Sequence, residues 1–274
     1  MYFRLSAALI LCAAAQAQSA QTGLLDRSYR EMYNLQFPEA HRTLAEFQRE
    51  RPDDPMGPVS DAAAYLFGEF DRLHILQSEF FTQDEHFITD HKLAPDPALK
   101  QKFEAALDST RKLSARRPND SNAMFALVLA GGLHSDYLAL IEKRYGASFQ
   151  EMKAGRQRAE QLLAADPQCY DAWIAVGVEN YMLSIKAAPM RWLLRLAGGE
   201  TDRATGIQKL RLTAEKGRYL APFAKLLLAV AALRDNNRLE ARRLLDFLSH
   251  EYPQNPLYAQ ELAKIQPVTG AALR

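Results

Sequence analysis

The chain is poor in most features that specialised chemistry requires. Only two cysteines, Cys12 and Cys169, occur in 274 residues. With Cys12 inside an expected leader, no internal disulfide can form, and an exported protein of this kind must rely on packing. Charge of one sign is also missing, since 34 Lys and Arg stand against 33 Asp and Glu. That balance excludes the basic field expected of a nucleic-acid-binding protein. There is no convincing alternation of β-branched residues, so strands are not expected. No HExxH zinc motif is present. Beyond the leader, no run approaches 18 apolar residues, and no transmembrane helix is expected in the mature chain.

The N-terminus carries the three parts of a secretory signal. Arg4 is the positive region, Leu5 to Ala15 the apolar region, and Ala15-Gln16-Ala17 an A-x-A cleavage site. The expected organisation is a signal peptide over 1–17, one helical domain over 18–266 and a flexible tail over 267–274. An uncleaved anchor is the alternative, as is lipidation at Cys12, where Leu11 occupies the position of the usual small residue. The expected location is periplasmic or otherwise cell-envelope associated. Removal of Arg4 leaves a net charge near zero.

One phrase occurs four times: a small residue, residues at +4 and +7, and a proline at +12. The copies are Ala40/Leu44/Phe47/Pro52, Ala106/Thr110/Leu113/Pro118, Gly155/Ala159/Leu162/Pro167 and Ala241/Leu245/Leu248/Pro253. This is the second half of the tetratricopeptide (TPR) pattern. Counting on from Pro167 places Trp173, Val176 and Gly177 at the aromatic and Leu-Gly positions of the next unit, which were not used to set the register. The same count from Pro52 puts Ala62 and Tyr65 at the small and aromatic positions. The prolines are 66, 49 and 86 residues apart, none a multiple of the 34-residue unit. The fold expected is therefore all-α: a superhelix of irregular TPR-like hairpins with inserted helices and a C-terminal cap at Leu257 to Ile265. Other expected helices include Pro58 to Phe81, Pro95 to Arg116, Asn122 to Tyr145 (interrupted or closely packed at Gly131-Gly132), Tyr170 to Ala187 and Thr201 to Lys216.

The stretch from Leu193 to Leu210, with its Gly198-Gly199 turn, Asp202-Arg203 and Gly206, precedes a second apolar helix containing Ala221-Pro222-Phe223 and Leu226-Leu227-Leu228. Over about residues 165–255 this resembles exported bacterial TPR proteins and the eukaryotic inclusion-body-clearance TPR family. The resemblance implies a helical interaction protein and supplies no catalytic residue.

Candidate sites are few. Gly198 to Gly206 is not a phosphate loop, because Ile207 and Gln208 stand where Lys and Ser/Thr are needed; Thr201 or Asp202 reads better as a helix cap. Asp84, Glu85, His86, Asp90 and His91 offer metal-ligand chemistry, but His86 and His91 are five apart and do not share a helix face. Cys169 has no histidine near it in sequence. Met190 to Leu196 is a short amphipathic piece able to dock in the fold or on a membrane surface. On the first helices of their units, Tyr65, Phe125, Tyr137, Asn180, Tyr181 and Met182 are the candidates to line a concave peptide groove. The expected function is a non-enzymatic scaffold without a cofactor or metal, which binds a peptide or helical segment of an envelope protein. The alternatives are a metal-dependent or enzymatic site over 84–91 and a membrane-interface adaptor using 189–196.

Overall fold

The computed structural model describes residues 23–76, 93–184, 194 and 196–265. These residues are helical and contain no strand. The helices are α1 (residues 23–33), α2 (Phe37–Glu50), α3 (Met56–Arg72), α4 (Pro97–Ala115), α5 (Ser121–Asp136), α6 (Tyr145–Ala165), α7 (Trp173–Ser184), α8 (Arg203–Lys216), α9 (Ala221–Arg234), α10 (Arg238–Glu251) and α11 (Pro256–Lys264). The expected signal peptide, the tail, the 84–91 cluster and most of 189–196 lie outside the described residues.

Two kinds of turn alternate along the chain. The even-numbered helices α2, α4, α6 and α10 each end just before a proline of the repeated phrase. Proline lacks the N–H that would continue the helix. Two residues after three of these prolines, a polar side chain opens the next helix. Asp54 accepts from Met56 N–H (3.0 Å), Asp120 from Ala123 N–H (2.9 Å) and Asn255 from Leu257 N–H (3.0 Å). Cys169 holds that position in the remaining copy, and the chain enters α7 through a 3₁₀ turn, Tyr170–Ala172.

Of the odd-numbered helices, α1, α3, α5 and α9 are left through a left-handed residue instead. Leu35, His74, Lys143 and Asn236 have φ between 56° and 59°, and Gly198 precedes α8 at φ 80°. After α1, α3 and α9 the hydrogen bonds repeat: Gln36, Ile75 and Asn237 donate to Glu31, Phe70 and Ala232, five residues back. This is the Schellman arrangement.

Each helix packs on the next, and α3 also packs on α5. The repeated phrase supplies the seams. Ala40, Leu44 and Phe47 are wholly buried, as are Ala159, Leu162, Ala241 and Leu248. In α4 the buried stripe is Phe103, Leu107, Thr110 and Ser114, so Ala106 and Leu113 of the phrase are only half-buried. The closest approach joins α7 to α8. A Cβ on Gly206 would lie 2.7 Å from Tyr181 N, and one on Gly177 would lie 3.0 Å from Leu210 N.

Of the two alternatives at Gly131-Gly132, close packing holds and interruption does not: a Cβ on Gly131 would lie 3.9 Å from Gly155 Cα of α6. α5 runs through both glycines and widens into a π turn at Tyr137–Ile141. The continuous Ser121–Ile141 stretch is long and apolar enough to cross a membrane by length and composition. Most of it is buried in the protein, between α4 and α6 and against α3, as the core helix of a water-soluble fold is.

The array curls until its ends meet. Asp171, just before α7, accepts from the N–H groups of Arg218 (2.9 Å), Tyr219 (3.2 Å) and Leu220 (2.9 Å), fixing the turn between α8 and α9. That turn receives α1: Tyr33 Oη donates to Tyr219 O (2.8 Å), the Tyr29 and Tyr219 rings are 4.8 Å apart, and Arg218 pairs with Asp26 (2.8 Å). Arg30 reaches Glu251 (2.7 Å), and Asn255 Nδ2 donates to Tyr33 O (3.0 Å). Phe67 of α3 meets Phe223 of α9 at 5.7 Å. The core forms two apolar clusters, and Tyr33 and Leu220 pack on both.

The two special backbone sites give opposite expectations. Gly206→Ala forces α7 from α8 and should lower stability by about 1–3 kcal/mol. His74→Gly relieves a left-handed residue on an exposed surface and should raise it by about 0.5–1 kcal/mol. Urea unfolding of both variants beside the parent checks the pair of signs.

Candidate binding cavity

The inner faces of the odd-numbered helices line a cavity of about 190 Å³ that is partly open to solvent. Its walls include Tyr29 and Tyr33 of α1, Ala63 and Phe67 of α3, Leu129 and Gly132 of α5, Ala175 and Val178 of α7, Phe223 and Val230 of α9, and Tyr258 of α11. Of the even-numbered helices, Phe37 of α2, Met152 and Gly155 of α6 and Leu245 of α10 also reach it. The wall is nearly all apolar. An apolar cavity of about 150 Å³ stays dry and accepts a benzene molecule, so this one has room for a slightly larger group.

The polar groups bordering it are mostly engaged within the protein. Ser135 Oγ donates to Ser148 O at 3.0 Å. Tyr33 Oη is held by Tyr219, Tyr29 Oη accepts from Ser60 Oγ (3.3 Å), and Asn255 binds Leu257 and Tyr33. Glu261 pairs with Lys264 at 2.9 Å. Asp136 is the exception, with no hydrogen bond or ion pair to its carboxylate among the described residues. Asp136 is half-buried, with part of its surface open to the cavity it borders. Burial alone pushes that carboxyl up from 3.8 to about 7, with no nearby charge to offset it.

None of the six residues expected to line a groove is in this wall. Tyr65 and Tyr137 come together elsewhere, in a small crevice with Phe103 and Lys100. There Tyr137 stacks on Phe103 at 5.2 Å, and Tyr65 lies over His41 at 4.1 Å. Phe125 is buried in the first apolar cluster. Asn180 serves its own chain: its amide donates to Val176 O (3.1 Å) and accepts from Asp202 N–H (3.2 Å). Tyr181 is buried with Arg203 over its ring at 5.2 Å, and Met182 packs on the second cluster. Beside Asn180, the fully buried Glu179 accepts from Arg156 Nε (3.0 Å) and Glu200 N–H (3.1 Å). These polar groups hold the loop that leads into α8, which Asp202 caps by accepting from Ala204 N–H (2.9 Å).

The signal for the true wall was all-round apolarity. From Ala221 to Leu233 only Lys225 interrupts the apolar sequence. A helix apolar on every side is buried on more than one face; here one face meets the core and another the cavity.

Cys169 is half-buried, and burial pushes its thiol up to about 11. That direction opposes the activation a helix N-terminus gives a nucleophile. Among the described residues, no three of His, Cys, Asp and Glu gather closely enough to hold a metal ion.

Asp136 makes stability depend on pH. Its folded value is raised, so between about 4 and 7 the folded state holds a proton that the unfolded chain has released. Stability from this group is intact below about 4, declines as pH rises, and is lost above 7. Asp136→Asn should gain on the parent by up to roughly 4 kcal/mol between pH 4 and pH 8, as read by urea unfolding at both pH values. Comparison with protein-family models, curated proteins and solved structures finds no match in any of the three.

Proposed function

We propose that this chain is a non-catalytic binding protein of the TPR-like class, exported to the cell envelope, whose ligand enters the central cavity as an apolar group. The observation that carries this reading is the wall itself: helices α1, α3, α5, α7, α9 and α11 all turn apolar side chains onto one space that the protein leaves unfilled. An unfilled apolar space sacrifices packing, and a ligand would recover it. The repeated phrase and the hairpin-on-hairpin contacts support the TPR-like part of the reading. The leader motif in the sequence supports export.

The size of the cavity narrows the ligand. A bound helix is about 10 Å across with its side chains, far more than about 190 Å³ can hold over even two turns. An aromatic ring or a short aliphatic chain fits. The groove-bound segment expected from the repeat pattern becomes, in this fold, an apolar group inserted between the inner helices.

Thermal unfolding with 1-hexanol tests this. At ten times its dissociation constant the alcohol should stabilise the protein by about 1.4 kcal/mol, a rise in Tm of roughly 3–5 °C. Gly132→Leu is the control. Gly132 borders the cavity and a Cβ there meets nothing within 4 Å. The leucine should preserve or slightly raise the basal Tm through helix propensity and abolish the response. A parent protein that does not respond to hexanol would sink the proposal.

A further inference from the structure

We propose that the cavity selects amphiphilic amines, binding an apolar tail against its walls while the ligand's ammonium group pairs with the carboxylate of Asp136. This rests on the cavity being the binding site and adds the ligand's charge. The argument begins with what Asp136 lacks. A carboxyl at an apolar wall ordinarily has a partner, because an unpaired buried charge is costly. Glu261, the other charged residue of the wall, has one, and so do the ion-paired groups on the surrounding helices.

On α5 itself, His134 meets Glu151 of α6 at 3.1 Å. On α4, Lys100 pairs with Glu142 at 2.6 Å, and on α3, Arg72 pairs with Glu69 at 2.7 Å. On α7, Glu179 pairs with Arg156 of α6, and on α11, Glu261 pairs with Lys264. The groups α1 brings to the wall, Tyr29 and Tyr33, are held neutral by burial. No described cation faces Asp136, and no described anion competes for a ligand there.

The complementary ligand therefore carries one positive charge and little else that is polar. A neutral alcohol or ester offers a single hydrogen bond to the protonated carboxyl. An ammonium offers a charge-assisted bond to the carboxylate, about twice as strong. A carboxylate ligand meets repulsion or must bind protonated. Occupation by an amine also changes the proton balance. An alkylamine is charged up to about pH 10 by analogy with lysine, whereas burial holds the Asp136 carboxyl up near 7 in the empty protein. Amine binding below pH 7 must expel a proton from Asp136, so affinity should rise by up to about tenfold per pH unit towards 7 and level off above it. A neutral ligand of the same shape should show no such rise.

Titration calorimetry with three matched probes, hexylamine, 1-hexanol and hexanoate, tests this on the parent and on Asp136→Asn at pH 5.5 and pH 8. The expected result at pH 8 is hexylamine binding at least roughly tenfold more tightly than hexanol, with hexanoate weakest. The preference should shrink at pH 5.5. In Asp136→Asn it should vanish while hexanol binding persists, which shows that the cavity is intact. Equal affinities of the parent for hexylamine and hexanol at pH 8 would overturn the charge assignment and leave the cavity reading standing. So would an amine preference that survives in the variant. A parent that binds none of the three overturns both.

Discussion

Three backbone N–H groups, those of Arg218, Tyr219 and Leu220, converge on the carboxylate of Asp171. Burial pushes this carboxyl up, and the three donors pull it back down. The turn it organises is the one α-to-α connection from an even-numbered helix that has no proline of the repeated phrase. In place of the proline there is Gly217, where a Cβ would lie 2.5 Å from Asp171 Oδ1. The turn gives Tyr33 its acceptor and Tyr29 its aromatic neighbour. Without it the first helix has no seat, and the inner faces of the array would open to water. The cavity thus exists because one side chain stands in for a missing repeat element.

The alternation of turns explains why the rest of the array is regular despite its uneven spacing. A proline with a polar residue two positions on closes α2, α4 and α10 and starts the next helix, needing only local chemistry. A left-handed residue does the same job after α1, α3, α5 and α9. Segments of any length can be inserted between such turns without disturbing the helix-on-helix seams. Glycine at Gly177 and Gly206 then sets how closely α7 and α8 approach.

Much of the helical scaffold was legible in the sequence because it is written in local signals. Pro52, Pro118, Pro167 and Pro253 mark helix ends, and Ala40, Leu44 and Phe47 mark a buried seam. Asp202 was legible as a cap. The cavity was not, because its wall depends on closure between residues some two hundred positions apart, made by tyrosines with no distinctive spacing. Asn180 and Tyr181 looked available because a helical repeat presents them on its first helix. Their actual partners, Asp202 and Arg203, come from a loop whose path no periodicity specifies. The continuity of α5 through Gly131 and Gly132 was hidden for a different reason: glycine weakens a helix on average, and tertiary packing overrode that preference.

The docking of α1 also sets an order on assembly. In an open repeat array each unit needs only its neighbours, so growth can begin anywhere and spread. Here the first helix finds its partners at Tyr219, Glu251 and Asn255, all made near the end of the chain. Synthesis from the N-terminus lets α1 meet α2 and α3 early, through Arg27 and Tyr29, but leaves it without these later partners until the last hairpin arrives. The final contact spans nearly the whole molecule, and such long-range closures are slow. Loss of the last hairpin would therefore strip the first helix of partners it cannot find among its own neighbours.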